Sequence, residues 1–515
     1  MKKNRFTKIL KWIHKWPGIV VSLLLVFWAI SGIVLNHRQT FSSININRNI
    51  LAEEYQYNNW NNAALKGNVQ IGQDSMLVYG NIGIWLSNDD FSQFQDFNNG
   101  FPSGIDHRKT FDVLLTSNNR LFAATLFGLY EYNLIDKMWK KHELDLHEYK
   151  IVALEEVKGE LFVMSRSSLI KAALNDKVLE WENVVVPAYK DYDGKIGLFR
   201  TLWVIHSGEI YGKVGKLVVD AVALIFIFLV ISGLIYFFAP GIIKRKKRKG
   251  KDNQRIKKIN KFSISWHNKL GGYLIVFLLI TTCTGMFLRP PLLIAIASGR
   301  VDKLPFTTLD DPNPWNDRFR DMLYDEEANR FFIGTVDGIY HSDDNFSSEL
   351  KMFPVQVPIS VMGINVLKKL NSGDYLVGSF LGLYRWQPER GLIWNQITGS
   401  RDVSFNRNGP PLGEFMSSGL LMNTKGSAYH IDYNIGSLPI IGNAMPPMPT
   451  EILSAAPMSL WNFSLEVHTG RFFKFLFGDF YILIVPLLGL LTFSILISGF
   501  IVWLKLLIRR TKRAK

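Results

Sequence analysis

The sequence predicts an α-helical membrane bundle of four transmembrane helices, internally duplicated, joined to a β-rich extracytoplasmic domain. Three observations predict it. Four apolar runs are long enough to cross a bilayer, the basic residues are confined to short flanks of those runs, and a β pattern recurs every 40 to 45 residues between them.

The runs are Pro17–Asn36, Leu217–Phe238, Leu270–Leu288 and Phe480–Trp503, each able to cross about 30 Å of hydrocarbon. The chain is 48% hydrophobic yet 20% charged, as expected when spans alternate with water-facing segments. The first run follows a basic start, as a signal peptide does. Its apolar part is too long for one and no small-residue cleavage site follows, so it reads as a retained anchor.

The formal net charge of +15 is concentrated in Met1–Trp16, Gly241–Lys269 and Lys505–Lys515, which together hold 24 of the 59 basic residues and one acid, Asp252. The remaining 35 basic and 43 acidic residues make the rest of the chain mildly acidic. A run such as Lys244–Lys251 in isolation suggests nucleic acid or an acidic partner. Each basic stretch here abuts an apolar run, so retention in the cytoplasm explains them together, and nucleic acid is not an expected partner; membrane lipid is. The implied order is 1–37, cytoplasmic N-terminus and first span; 38–205, extracytoplasmic; 206–240, second span; 241–266, basic cytoplasmic loop; 267–289, third span; 290–467, extracytoplasmic; 468–504, fourth span; 505–515, basic cytoplasmic tail. A single cysteine, Cys283, excludes an intramolecular disulfide and a thiolate metal cluster.

The chain repeats itself. His14 is followed by Gly18 and then by Ser31-Gly32; His267 is followed by Gly271 and then by Thr284-Gly285 at the same offset. His206-Ser-Gly208 precedes the second run, which holds Ser232-Gly233; His468-Thr-Gly470 precedes the fourth, which holds Ser498-Gly499. The histidine-to-serine offsets are 26 and 30 in this second pair, a difference of about one helical turn. Small residues late in each run allow helices to approach closely.

The intervening segments repeat as well. Leu77–Asp89, Leu121–Asn133 and Leu161–Ala173, then Phe331–Asp343, Tyr375–Gln387 and Leu421–Tyr433, each read as strand, turn, strand, with the turns at Gly83, Gly128, Ser168, Gly338, Gly382 and Gly426. The spacings of 45, 40, 44 and 44 are those of propeller blades. Three blades cannot close a ring, whereas three plus three can, so the two segments together predict a composite six-bladed β-propeller. The other reading is two separate β-domains.

Five of the ten histidines fall at membrane boundaries: His14 and His267 on the inner side, His37, His206 and His468 on the outer side. Ionisable residues there face the bundle interior by default. Paired imidazoles on facing helices suit haem iron with two axial ligands, since neutral imidazole binds iron and a bundle clamps a flat apolar macrocycle. The duplication pairs His14 with His267 and His206 with His468. His37 has no counterpart and is a further outer candidate. His14 and His37 lie about 34 Å apart along a helix, so inner and outer sites are distinct and one or two haem b groups are expected, with His206 and His468 as ligands of the outer iron. An interfacial histidine otherwise marks only the headgroup region, as Trp and Tyr do. His107, His142, His147, His341 and His430 read as structural or surface residues of the β segments. Asp220 and Asp479 read as interfacial caps in preference to a proton relay or a partner for a histidine. Arg38, Arg200, Arg289 and Arg471 read either as partners of haem propionates or as residues snorkelling to the interface.

At these residues the chain resembles the PepSY-associated transmembrane family of bacterial inner-membrane proteins. The resemblance rests on HKWPGIVVSLLLVFWAISG, HNKLGGYLIVFLLITTCTG, and the HSGEIYG and HTGRFF starts, and covers roughly a quarter of the chain. It implies a bacterial inner-membrane location, periplasmic loops, and kinship with haem-containing reductases of ferric siderophores. An iron chelate or siderophore is then the substrate, and the electron donor is cytoplasmic or the quinone pool. The loops depart from the family, showing propeller blades where a PepSY-like α/β domain would lie. The competing function is a membrane-anchored propeller that senses or binds without redox activity; matched histidines at the bundle boundaries separate the two. A transporter fits poorly, because the runs carry few charges and no break midway. No dinucleotide fingerprint or phosphate-binding loop is present, so nicotinamide or flavin input needs another protein.

Overall fold

The computed structural model describes residues 2–146, 148–175, 178–190, 192–401 and 412–514. His147 lies outside them. The chain folds as two compact units: Met1–Phe41, Gly194–Asp310 and Leu460–Lys515 form a helical unit, and Ser42–Asp193 with Asp311–Ser459 form a β-rich unit. The two long inter-span segments therefore build one β-rich unit.

The helical unit is assembled from α1 (Lys2–Asn36), α2 (Leu198–Ser207), α3 (Gly212–Arg248), α4 (Gln254–Tyr273), α5 (Ile275–Phe287), α6 (Leu460–His468) and α7 (Ile484–Ala514). Three stretches, within α1, along α3 and along α7, are long and apolar enough to cross a membrane. The expected third span differs: α4 and α5 qualify only as a pair, bent by 68° at a break. An uninterrupted helix was the expectation there. The reason is local and tertiary together. Gly271-Gly272 is a weak helix former, and the Trp503 indole of α7 occupies the space that a side chain at Gly272 would need. The chain turns around that ring at Leu274.

α2 ends on Gly208, whose φ of 80° is a left-handed conformation available cheaply to glycine. Gly470 repeats that conformation after α6, with φ of 79°. The two His-x-Gly motifs are thus matching helix stops, each placing its histidine in the last turn of a short helix. A small apolar cluster of Val222, Leu229 and Leu278 sits between α3 and α5.

The β-rich unit contains, among the described residues, five four-stranded antiparallel sheets and one of three strands. Their first strands are Gly67–Gly72, Thr110–Leu115, Ile151–Val157, Phe319–Asp325, Ile364–Lys369 and Ser417–Met422. In sheets two to six the register shifts after the first paired residue of that strand, at Thr110/Asp112, Ile151/Ala153, Phe319/Asp321, Ile364/Val366 and Ser417/Gly419. Hydrophobic clusters join consecutive sheets. One links sheets one and two through Leu77, Tyr79 and Val113. Another links sheets six and one through Leu421, Ile431, Met76 and Val78. Trp60, Trp139, Trp315 and Trp386 are fully buried in these clusters. Each indole N–H reaches a carbonyl, of Pro446, Phe97, Pro187 and Val355, so burial leaves no donor unsatisfied. A two-residue ladder, Asn45–Ile46 against Met458–Ser459, ties together the points where the chain enters and leaves this unit.

Candidate functional site

The helical unit brings four of the five boundary histidines together in two pairs. His14 and His267 have ring centroids 5.9 Å apart, and so do His206 and His468. The ring planes are inclined by 80° in the first pair and 53° in the second. His37 joins neither pair. Its Nε2 lies 2.5 Å from Asp220 Oδ2, while the Asn36 amide donates to Asp220 Oδ1 at 3.0 Å and to the Ser207 carbonyl at 3.2 Å. Asp220 is therefore a side-chain partner of His37, where an interfacial cap was expected.

Each paired histidine rests in the same kind of seat on another helix. His468 Nδ1 faces the Trp28 carbonyl at 3.1 Å and Ser31 Oγ at 3.0 Å. His206 Nδ1 faces the Thr281 carbonyl at 2.9 Å and Thr284 Oγ1 at 3.4 Å. His267 Nδ1 faces Ser232 Oγ at 3.0 Å, and the backbone of Leu229 is a further partner of that ring. His14 Nδ1 faces the Ile495 carbonyl at 2.9 Å. In every seat the carbonyl lies three residues before the Ser or Thr of a Ser/Thr-Gly pair. A carbonyl only accepts, so each Nδ1 carries the proton and each Nε2 keeps its lone pair.

The glycines make room for the rings. A Cβ at Gly285 would meet His206 Cε1 at 2.6 Å, and one at Gly499 would meet His14 Cε1 at 2.6 Å. At Gly32 and Gly233 the distances to His468 and His267 are 3.3 and 3.4 Å. The Ser/Thr-Gly pairs had been read as points where helices approach closely; they also hold histidines. The equal offset of 17 residues from His14 to Ser31 and from His267 to Thr284 was a signal in the sequence, but it does not say which histidine sits in which seat.

Two imidazoles that each expose an Nε2 lone pair can hold one metal ion end-on. With about 2 Å for each metal–nitrogen bond, their centroids stand roughly 6 Å apart. Among the described residues no group of three or more His, Cys, Asp or Glu is arranged to hold a metal. Two protein ligands suit a metal that brings its own equatorial ligands, which is the case of haem. The four histidines are half-buried, each pair is spaced for one such metal, and each Nδ1 is held away as a donor, so the residues present fit that group.

The arginines near the outer pair differ from one another. Arg200 bonds Glu209 at 3.2 Å, Arg471 bonds Glu466 through Nε at 2.9 Å, and Arg38 stacks 3.8 Å over the Trp461 ring. Arg289 Nε is buried with no hydrogen-bond partner among the described residues.

The family model for the PepSY-associated TM region matches residues 11–505. The chain belongs to this family. Membership covers nearly the whole chain, including the β-rich unit, so that unit lies within the family's range. No curated protein matches the chain. Among solved structures, the extracellular domain assigned to a hybrid two-component system of B. thetaiotaomicron aligns at 11% identity and a TM-score of 0.34, over 75% of this chain and 40% of that one. This family member thus spans about 40% of the length of that domain. The β-propeller domain of Cps50 (Swd1) from Myceliophteria thermophila aligns at 8% identity and a TM-score of 0.30, over 76% of this chain and 89% of that one.

Proposed function

We propose that the protein is a bacterial inner-membrane b-type haem protein that passes electrons to an extracytoplasmic acceptor, a ferric siderophore or other iron chelate. It crosses the membrane four times, the bent α4–α5 pair counting as the third span, with both termini in the cytoplasm and the β-rich unit in the periplasm. The observation that carries this reading is the pair of matched bis-histidine sites. His14 and Ser31, which hold one site each, are 17 residues apart on α1, about 25 Å along the helix at 1.5 Å per residue. That separation brings an electron across most of a hydrocarbon core about 30 Å thick.

Haem iron with two imidazole ligands exchanges single electrons without an open coordination position. His14 with His267, and His206 with His468, would hold it. The Nδ1–carbonyl bonds fix the tautomer, orient each ring and raise the basicity of Nε2. Reduction of Fe(III) to Fe(II) outside the membrane weakens hard oxygen chelation and frees the metal. Electrons enter at the inner pair from a cytoplasmic donor or the quinone pool. The six sheets are read as one closed propeller, supported by clusters that link consecutive sheets and link the sixth to the first.

The test is the visible spectrum of the purified full-length protein, oxidised and dithionite-reduced. A sharp reduced α-band of b type that weakens in His206→Ala and His468→Ala is the expected result. A folded protein with no Soret band would sink the reading and leave a membrane-anchored propeller that senses or binds without redox activity.

A further inference from the structure

The two copies of the duplicated unit treat the outer histidine pair differently, and the difference is one of charge. Three residues after His206 stands Glu209; three after His468 stands Arg471. Twenty-two residues after His14 stands Asn36; twenty-two after His267 stands Arg289. The duplication therefore puts Glu209 and Asn36 on one side of the outer pair, and Arg471 and Arg289 on the other.

The first side is satisfied within the protein. Glu209 accepts from Arg200 and lies 3.4 Å from Lys216 Nζ. Asn36 donates to Asp220 and to the Ser207 carbonyl. The second side is not. Arg471 is neutralised by Glu466. Arg289 is held close to Arg471, Glu466 and Tyr481, yet its Nε is buried without an acceptor among the described residues. A half-buried guanidinium whose Nε lacks an acceptor, in the field of a second arginine, gains from an anion that completes it.

Its position is set by packing. Gly285, which touches His206, is four residues before Arg289, which lies just past the end of α5 at Phe287. Between them Met286 packs on Gly489 of α7, where a Cβ would lie 2.6 Å from the Met286 Cβ. Arg289 thus follows directly on the helix whose Gly285 seats His206.

We propose that Arg289, with Arg471 beside it, forms a carboxylate-binding site next to the His206–His468 pair. A carboxylate accepts two parallel hydrogen bonds from a guanidinium fork and satisfies the orphaned Nε–H. This chemistry has two sources: a propionate of the macrocycle, or a carboxylate of an incoming iron chelate. The proposal rests on the bis-histidine reading for the first source and not for the second.

The test uses full-length protein in detergent, as wild type, Arg289→Gln, Arg289→Lys and Arg471→Gln, with size-exclusion profiles confirming folding. Three probes are titrated: haem b, its dimethyl ester with both propionates capped, and ferric citrate. If the source is the propionate, Arg289→Gln weakens haem b about tenfold, the loss of one charge-assisted bond, and the ester binds wild type and variant alike. If the source is the chelate, haem b is unaffected and ferric citrate binds about tenfold more weakly. In either case Arg289→Lys, which keeps the charge and loses the fork, falls between. Wild type that binds no haem defeats the bis-histidine reading, and ferric citrate alone then decides for or against the site. Equal affinities of all four proteins for haem b and ferric citrate overturn the proposal.

Discussion

A single methyl group is enough to probe each histidine seat. Gly285 and Gly499 leave no room for one beside His206 and His14, whereas Gly32 and Gly233 leave near-contact distances beside His468 and His267. Gly285→Ala and Gly499→Ala are expected to lower haem content at the outer and inner site respectively, while Gly32→Ala and Gly233→Ala retain most of it. Pyridine-haemochrome assay of purified variants checks this; four indistinguishable variants would mean the seats are more yielding than they look. His37 makes a sharper contrast. Because Asp220 holds it, His37→Gln is expected to keep both haem sites, where His206→Ala loses one. The same spectra decide, and a lost α-band in His37→Gln would place that residue in the site after all. The four paired histidines were legible because matching motifs in two copies, His-x3-Gly at His14 and His267 and His-Ser/Thr-Gly at His206 and His468, pick them out of ten. The Asp220 contact was not legible, because it joins residues 37 and 220, which no local pattern connects.

At the level of elements, α4 and α5 show a long-range contact overriding a local signal. The apolar run Leu270–Leu288 reads as one straight span, and its glycines carry only a weak warning. The bend needs Trp503, which the sequence places more than two hundred residues away. Trp503→Ala is expected to relax the kink, measured as a longer distance between spin labels at the two ends of the α4–α5 pair. The first strands of the sheets make a different prediction. Their carboxylates latch neighbouring sheets: the Leu154 N–H donates to Asp112 Oδ2 at 2.9 Å, and the Tyr324 N–H donates to Glu155 Oε1 at 3.1 Å. Burial pushes Glu155 up to about 8 from 4.5, and burial with the Asp112 charge pushes Asp321 up to about 8 from 3.8. Such groups keep their protons in the folded unit when the unfolded chain has lost them. Their stabilising effect is full below pH 4 and is lost as pH rises to about 8. Lys66, brought down to about 8 by burial, acts in the opposite sense above that pH. His107, His341 and His430, brought down by burial, act in the opposite sense below about pH 7, so the window is set above it: thermal unfolding of the full chain followed by tryptophan fluorescence is expected to show a lower midpoint at pH 8 than at pH 7. Glu155→Gln should flatten that slope, and an unchanged slope would remove Glu155 from the account. The periodic turns had located these strands, but the register shifts that start five of them have no sequence signature.

For the molecule as a whole, two sites at opposite ends of a bundle should behave as separable halves. His14→Ala and His206→Ala are each expected to remove about half the haem, and the double variant nearly all of it. Redox titration should lose one of two components in each single variant, since unit charges about 25 Å apart interact by only about 0.7 kcal/mol at an effective dielectric constant of about 20. A single variant that empties both would show that one site organises the other.

The seats have a further consequence. His14 and His206 belong to the first copy, and their seats, at Gly499 and Gly285, belong to the second; His267 and His468 belong to the second, and their seats, at Gly233 and Gly32, belong to the first. Every histidine is lent across the duplication. A polypeptide carrying one copy has ligands without seats and seats without ligands, and meets both needs only by embracing a twin about a twofold axis. Residues 1–248 and 254–515, made as separate polypeptides in one cell, should find each other and rebuild both sites.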